Sequence, residues 1–294
     1  MVKIKTDTAR WVYEFPESNQ LSQVPELIML GYDRFHEASP LNVHQHERSY
    51  EFVFVESGKV TWEVDGHLFP SHAGQFFYTQ PGEWHRARLN FIEPCSIWWM
   101  IITDPSDHSG WLNLLDEDRM EIHHQLQQLP RIVFVDSRVR EPFSKLRDII
   151  EHHESFASCR VRHYVLDIIL QILSPSSNRQ IPFDLHAAMI KLTEAIKAAP
   201  EKRWNNKELA DMVSVSESHF YRLFRDMHGQ SPANYIDRLR MDHACQMLRQ
   251  QEVSVTTVAM DLGYKTSQHF STVFKKFIGL SPSQWRRAPL DPLA

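Results

Sequence analysis

Four residues in the first third of the chain have the types and spacing of a binding site: His44, His46, Glu51 and His85. His44 and His46 are two apart, so on a strand they point to the same face. Three imidazoles and a carboxylate suit Mn, Fe, Ni or Zn. The same groups can also bond an organic effector, or satisfy one another inside a fold. All three readings stay open from the residues alone. Trp62, Trp84, Arg86, Trp98 and Trp99 fall on nearby strand-like segments. Aromatic faces stack on sugar rings, and arginine bonds hydroxyls or carboxylates. The effector-binding candidates are His44, His46, Glu51, Trp62, His85 and Arg86. The metal candidates are His44, His46, Glu51 and His85.

A second set of chemistry-bearing residues sits in an internal repeat. The stretch from Ser218 to Arg225, SHFYRLFR, matches QHFSTVFK from Gln268 to Lys275. Gly229, Ser231, Pro232 and Tyr235 then match Gly279, Ser281, Pro282 and Trp285, every pair 50 residues apart. Each copy reads as two helices around a short turn. Asn205 or Asn206 caps a first helix holding Leu209, Ala210 and Met212, and Ser216 caps a second that ends at Gly229. In the second copy Gly263 forms the turn, where a positive φ comes cheaply. This is the layout of a helix-turn-helix. Residues off the phenylalanine stripe can reach DNA: Ser218, His219, Tyr221, Arg222 and Arg225 in one copy, and Ser267, Gln268, Ser271, Thr272 and Lys275 in the other. Arg suits guanine and Gln suits adenine in the major groove. Arg225, Lys275 and Lys276 suit phosphates. The joining helix, about Pro232 to Arg249, would be ~27 Å long. That length can set two recognition helices about one DNA turn apart.

These residues need elements to hold them. Segments between about 30 and 102 read as short strands, with a turn at Ser57-Gly58 and a hairpin at Asp65-Gly66. Many short strands at close spacing imply a sandwich or barrel. From about 111 the pattern is helical. Arg140–His153 carries Phe143, Leu146, Ile149 and Ile150 at helical spacing, and Val161–Leu173 carries Val165, Ile168, Ile169 and Ile172. The stretch after Leu173 has linker composition. The expected organisation is a β-barrel with following helices over 1–173, a linker over 174–183, and an all-α domain with two helix-turn-helix units over 184–294.

Charge follows the same division. The 294-residue chain has a net charge of −5. Residues 184–294 hold 15 Lys and Arg against 12 Asp and Glu, a net +3, which leaves −8 for the rest. Such asymmetry fits a nucleic-acid-binding portion beside an acidic one. The apolar runs are too short to span a bilayer, and no basic segment with an apolar run opens the chain, so neither membrane nor secretion is expected. Three scattered cysteines fit a reducing cytoplasm.

The C-terminal repeat resembles the AraC/XylS family of transcription regulators over about residues 184–287. AMDLGY (Ala259 to Tyr264) and HFSTVFKKFIGLSP (His269 to Pro282) carry the likeness; Ser214 departs from it where the first turn often has Gly. The resemblance places base readers near Ser218, Tyr221 and Arg222, and near Gln268, Ser271 and Thr272. His44, His46, Glu51, Gly58 and His85 resemble the two cupin motifs, nearly in spacing, although no Gly stands at position 38. The implied protein is a cytoplasmic, sequence-specific DNA-binding regulator, not an enzyme, that responds to a small molecule such as a sugar. It requires no cofactor, and a divalent metal is the group its cupin-like site could take. Its partners would be double-stranded DNA, an effector, a second copy through the helices between Arg140 and Leu173, and RNA polymerase if it activates. The alternative is a cupin-type metalloenzyme, a dioxygenase or isomerase, fused to a DNA-binding tail.

Overall fold

The computed structural model describes residues 2–7, 10–15, 24–152, 155–174, 183–250 and 253–288. They fall into two compact units. One comprises Met1–Arg34, Asn42–Arg88 and Cys95–Asn178; the other comprises Phe35–Leu41, Leu89–Pro94 and Arg179–Ala294. The stretch 174–183, expected as a linker, lies outside the described residues between 175 and 182.

The strands are β1 (Val2–Asp7), β2 (Arg10–Glu14), β3 (Leu27–Arg34), β4 (Ser39–Pro40), β5 (Ser49–Val64), β6 (His67–His72), β7 (Gln75–Thr79), β8 (His85–Ala87), β9 (Phe91–Ile92), β10 (Cys95–Thr103) and β11 (Ile132–Phe134). In the first unit the order is β1-β2-β3-β10-β5-β7-β11, with β6 and β8 also on β5. The spine is β5. The expected turn at Ser57-Gly58 is not there, and the strand runs unbroken for 16 residues. Gly58 takes φ 85° instead. The register against β10 jumps from Ser57 to Val55, which leaves Glu56 as the extra residue of a β-bulge. Before the bulge β5 pairs with β7, and after it with β6 and β8. The Asp65-Gly66 hairpin forms as expected, both residues at positive φ.

Alternation along β5 sorts the two faces of the sheet. Phe52 and Phe54, with Phe76, Tyr78, Trp98 and Met100 from neighbouring strands, join one apolar cluster. Two helices close it: α2 (Arg140–His152) through Phe143, Leu146, Ile149 and Ile150, and α3 (Ala157–Leu173) through Val165, Ile168, Ile169 and Ile172. Each such side chain contributes about 1.5–3 kcal/mol on burial. The stripes expected to meet a second copy are therefore spent on the sheet. A further helix, α1 (Asp116–Gln128), precedes β11, a strand within the stretch read as helical. Glu51, Val53, Val55, Phe77 and Thr79 face the other way and carry the site.

The second unit holds α4 (Phe183–Ala198), α5 (Asn206–Met212), α6 (Glu217–His228), α7 (Pro232–Arg249), α8 (Val255–Asp261), α9 (Ser267–Ile278) and α10 (Pro282–Arg287). Every start from α5 onward has a side-chain cap: Asn205, Ser216, Ser231, Ser254, Thr266 and Ser281. Ser281 and Gln284 complete a capping box. Two cores form, one per helix pair. Tyr235 and Ile236 of α7 enter the α5–α6 core, while Met241, Ala244 and Leu248 enter the α8–α9 core. The joining helix is thus shared, and the two pairs are fixed to one rod.

Candidate functional site

The four histidine and glutamate candidates converge. Their ligand atoms all lie within 4.8 Å of one another. From Glu51 Oε2, the Nε2 atoms of His85, His46 and His44 stand at 2.7, 3.7 and 4.0 Å. Period-two alternation on β5 turns Glu51 inward, and His85 opens β8 beside Val64. His44 and His85 exchange both backbone hydrogen bonds as an isolated bridge, at 3.0 and 2.9 Å.

Backbone carbonyls orient two of the rings. His44 Nδ1 meets the Asn42 carbonyl at 2.8 Å, and His85 Nδ1 meets the Glu83 carbonyl at 3.0 Å. A carbonyl only accepts, so each Nδ1 carries a proton and each Nε2 faces inward; that of His85, 2.7 Å from the ionised Glu51 carboxylate, carries a proton as well, which a bound metal ion would displace. The loop before His85 is held by a bidentate pair: Arg131 donates to both carboxylate oxygens of Glu83 at 2.6 and 2.8 Å. Nothing in the sequence ties Arg131 to a residue 48 positions away.

Burial opposes ionisation of Glu51, but contacts with His46 and His85 outweigh it and hold the carboxyl well below the usual carboxylate range. For His85 burial favours the neutral ring, and the Glu51 hydrogen bond and charge overcome that and raise its pKa. His44 goes the other way, lowered chiefly by burial. The donor set fits a divalent metal. Four donors about 2.1 Å from one ion lie about 3–4 Å from each other, close to the spread seen here. His46 Nε2 is buried and has no hydrogen-bond partner among the described residues, 3.7 Å from Glu51 Oε2.

The remaining candidates separate. Trp62 lies on the site's face of β5, fully buried, stacked on Phe77 at 4.8 Å and donating to Ser71 Oγ. Arg86 follows His85 directly, so it faces away, and it bonds Glu63 at 2.8 Å. It does not join the cluster. Trp98 packs on the helix side and donates to Glu56, while Trp84 is exposed. Trp99 shares the face of Glu51 and donates to Asp33 Oδ2 at 2.8 Å. Gly31 makes room for it: a Cβ there would meet the Trp99 ring at 2.3 Å. Asp33 also bonds Arg10, forming a second polar group on this face of the sheet that sequence reading missed.

On α6, Ser218, Tyr221, Arg222 and Arg225 are exposed, while Phe220, Leu223 and Phe224 are buried. On α9, Gln268, Thr272 and Lys275 are exposed and Phe270 and Phe274 are buried. His219, Ser267 and Ser271 are half-buried. Ser271 and Thr272 hydroxyls donate to carbonyls one turn back, at Ser267 and Gln268. Each long helix of a pair thus offers one polar face and buries the other.

Comparison with known proteins agrees with this division. A helix-turn-helix domain model matches residues 209–288, and a cupin domain model matches 36–101. The MmsAB operon regulatory protein of Pseudomonas aeruginosa is 31% identical over 217 residues, 73% of this chain and 66% of its own length. The chain belongs to the AraC family. An uncharacterized HTH-type transcriptional regulator of Haemophilus influenzae is 35% identical over 94 residues, 32% of each chain. A solved AraC-type regulator from Chromobacterium violaceum aligns with 36% of this AraC-family chain and 96% of its own, at 24% identity and TM-score 0.34. The chain spans from about a third to two thirds of the length of the curated relatives it matches first.

Proposed function

We propose that the protein is a sequence-specific DNA-binding transcription regulator, and not an enzyme, whose cupin domain responds to a small polar molecule. The observation that carries this is the repeated reading face. Two helix pairs, α5–α6 and α8–α9, present exposed polar residues at positions 50 apart and share the rod α7. We read them as two helix-turn-helix units that enter successive major grooves. Ser218, His219, Tyr221, Arg222 and Arg225, with Ser267, Gln268, Ser271, Thr272 and Lys275, form the DNA-binding surface. The three free cysteines support a reducing cytoplasm as its place of action. Its partners are double-stranded DNA, an effector such as a sugar, a second copy, and RNA polymerase where it activates. The test is selection of binding duplexes from a random pool by the full chain, with Arg222→Ala and Gln268→Ala as controls. Failure to enrich any sequence, or enrichment unaltered by both variants, would overturn the reading.

The partnerless His46 Nε2 supports a second reading of the cupin site. His44, His46, Glu51 and His85 would hold a divalent ion, which when bound supplies a Lewis-acid centre. The pocket then serves either effector recognition or the chemistry of a cupin-type metalloenzyme, a dioxygenase or isomerase, fused to a DNA-binding tail. Metal content of the purified protein, with and without His46→Ala, separates metal from plain effector pocket. Turnover of a candidate substrate by the metal-loaded chain would favour the enzyme.

A further inference from the structure

Within the helical unit the two helix pairs also touch away from the rod they share. The chain between α4 and α5 forms a loop anchored in the first core. Trp204 packs against that core, and its indole N–H donates to the Ala199 carbonyl at 3.0 Å. The Lys202 ammonium lies 3.9 Å from the centre of the Trp204 ring and donates to Glu208 of α5 at 2.5 Å. The crest of this loop meets the turn of the second pair. The Glu201 carbonyl faces Gly263 so closely that a Cβ there would stand 2.6 Å from it, and Gly263 holds φ 80°. Glycine supplies both the left-handed turn and the space. The next residue, Tyr264, is buried in the second core.

One side chain ties loop and turn together. Arg240 projects from α7, its side chain 14% exposed. Its Nε donates to the Pro200 carbonyl at 2.8 Å and its Nη2 to the Lys202 carbonyl at 3.1 Å. The same guanidinium lies 5.6 Å from the centre of the Tyr264 ring and 3.6 Å from Asp237, which accepts from the Tyr264 hydroxyl at 3.1 Å. A planar fork of fixed donors can hold two carbonyls and an aromatic face at once, which an ammonium cannot. The side chain is thus spent on the protein.

The tie lies off the axis of α7. That helix enters both cores, through Tyr235 in one and Leu248 in the other, about 20 Å apart along its length. A shared rod sets the distance between two bodies along its axis, but an attachment beside the rod is what stops one turning about it against the other. Such turning matters for reading DNA. One base pair more or less between two contacted sets moves the second by about 3.4 Å and rotates it by about 34°.

We propose that Arg240 is a positioning residue: by tying the 199–204 loop of the first helix pair to the Gly263 turn of the second, it makes the protein selective for the spacing between the two sets of bases it reads. This rests on the DNA-binding reading above. Releasing the tie loosens the spacing rule and leaves the base contacts of α6 and α9 in place.

The test uses the full chain and a duplex that the wild-type chain selects from a random pool. Arg222→Ala and Gln268→Ala mark the bases that α6 and α9 read. One base pair is then inserted or removed between those two sets, and affinity is measured by fluorescence anisotropy at fixed salt. The wild-type chain should lose about tenfold or more on each altered duplex, because one helix then misses its bases. Arg240→Met keeps the aliphatic stem and removes the fork. It should melt near wild type, and its loss on the altered duplexes should be smaller than that of wild type by at least about threefold. A general loss of stability would weaken binding equally at every spacing, so a merely structural role does not produce this dependence. If Arg240→Met does not fold, Arg240→Lys, which keeps the charge without the fork, takes its place. A spacing penalty as steep in the folded variant as in wild type, a wild-type chain indifferent to spacing, or a selected duplex read through one helix alone overturns the proposal. Weakening that is equal at every spacing in Arg240→Met and restored in Arg240→Lys would make Arg240 a phosphate contact, and overturns it too. A wild-type chain that selects no duplex fails at the DNA-binding step instead, which separates the two failures.

Discussion

Arg222 stands exposed on α6, one residue past Tyr221 and on the side away from Phe220 and Phe224. A bidentate contact with guanine would make Arg222→Ala cost about 1–3 kcal/mol on the selected duplex and little on random DNA. Equal losses on both would mark Arg222 as a phosphate contact. His228, at the end of the same helix, is packed against Phe224 and Tyr235. Burial, with a smaller effect from Lys197, lowers its pKa from 6.5 to about 4. The folded state thus prefers the neutral ring, and the unfolded chain takes up a proton first as pH falls. The stability this provides is whole above about pH 6.5 and is lost between there and pH 4, an upper bound of about 3 kcal/mol. Thermal melts at pH 7 and pH 5 should differ more for wild type than for His228→Gln; equal differences would remove His228 as the cause. At this scale the His44, His46, Glu51 and His85 site was legible because residue type and period-two spacing suffice for it. The same period turns Arg86 away from His85 and toward Glu63. Arg131, Asp33 and Trp99 were not legible, because their roles depend on strands far apart in sequence.

The helix pairs were the most legible elements, since caps, turns and apolar spacing are all local signals. The two copies still solve one turn differently. Ser214 takes φ 54° where Gly263 takes 80°, and a Cβ at Gly263 would sit 2.6 Å from the Glu201 carbonyl. Gly263→Ala therefore meets both strain and a clash, and should destabilise the second pair by about 1–3 kcal/mol. Ser214→Gly should move the melting temperature little, because relief of strain is offset by a freer unfolded chain. A Gly263→Ala protein that melts like wild type would show that this turn can relax. Phe270, fully buried between Tyr264 and Phe274, is a stronger lever. Phe270→Ala should cost about 3–5 kcal/mol and abolish specific DNA binding with it. An unchanged melting curve would sink that account. The bulge at Glu56 and the strand β11 were not legible. A glycine in an apolar run reads equally well as a turn or a bulge, and three residues are too few to show a period.

Across the whole molecule the net charge is −8 over residues 1–183, which include the matched cupin domain, and +3 over 184–294, which include the matched helix-turn-helix domain, and under the proposed function a DNA-reading chain would gain by pairing. The apolar stripes that first suggested α2 and α3 as the contact are buried on the sheet, which moves the question to the other side of α3. There Phe156, Cys159, His163 and Leu170, flanked by Leu166 and Leu173 that also pack against the edge of the core, recur at alternating spacings of three and four, and each is exposed or half-buried. Phe156 and Leu170 are 84% and 47% exposed. That alternation is the seam a second helix would fill in a coiled-coil contact, and two-fold pairing would place the recognition helices of two copies on repeated half-sites. Sedimentation of the full chain at tens of micromolar should report a dimer. Leu170→Lys should shift it to monomer while leaving the melting curve of the monomer near wild type, because Leu170 is not part of the core. The selected duplex should then show a repeated half-site that Leu170→Lys no longer occupies cooperatively. A wild-type chain that stays monomeric with and without DNA would remove the seam as an interface, and a dimer untouched by Leu170→Lys would move the interface elsewhere.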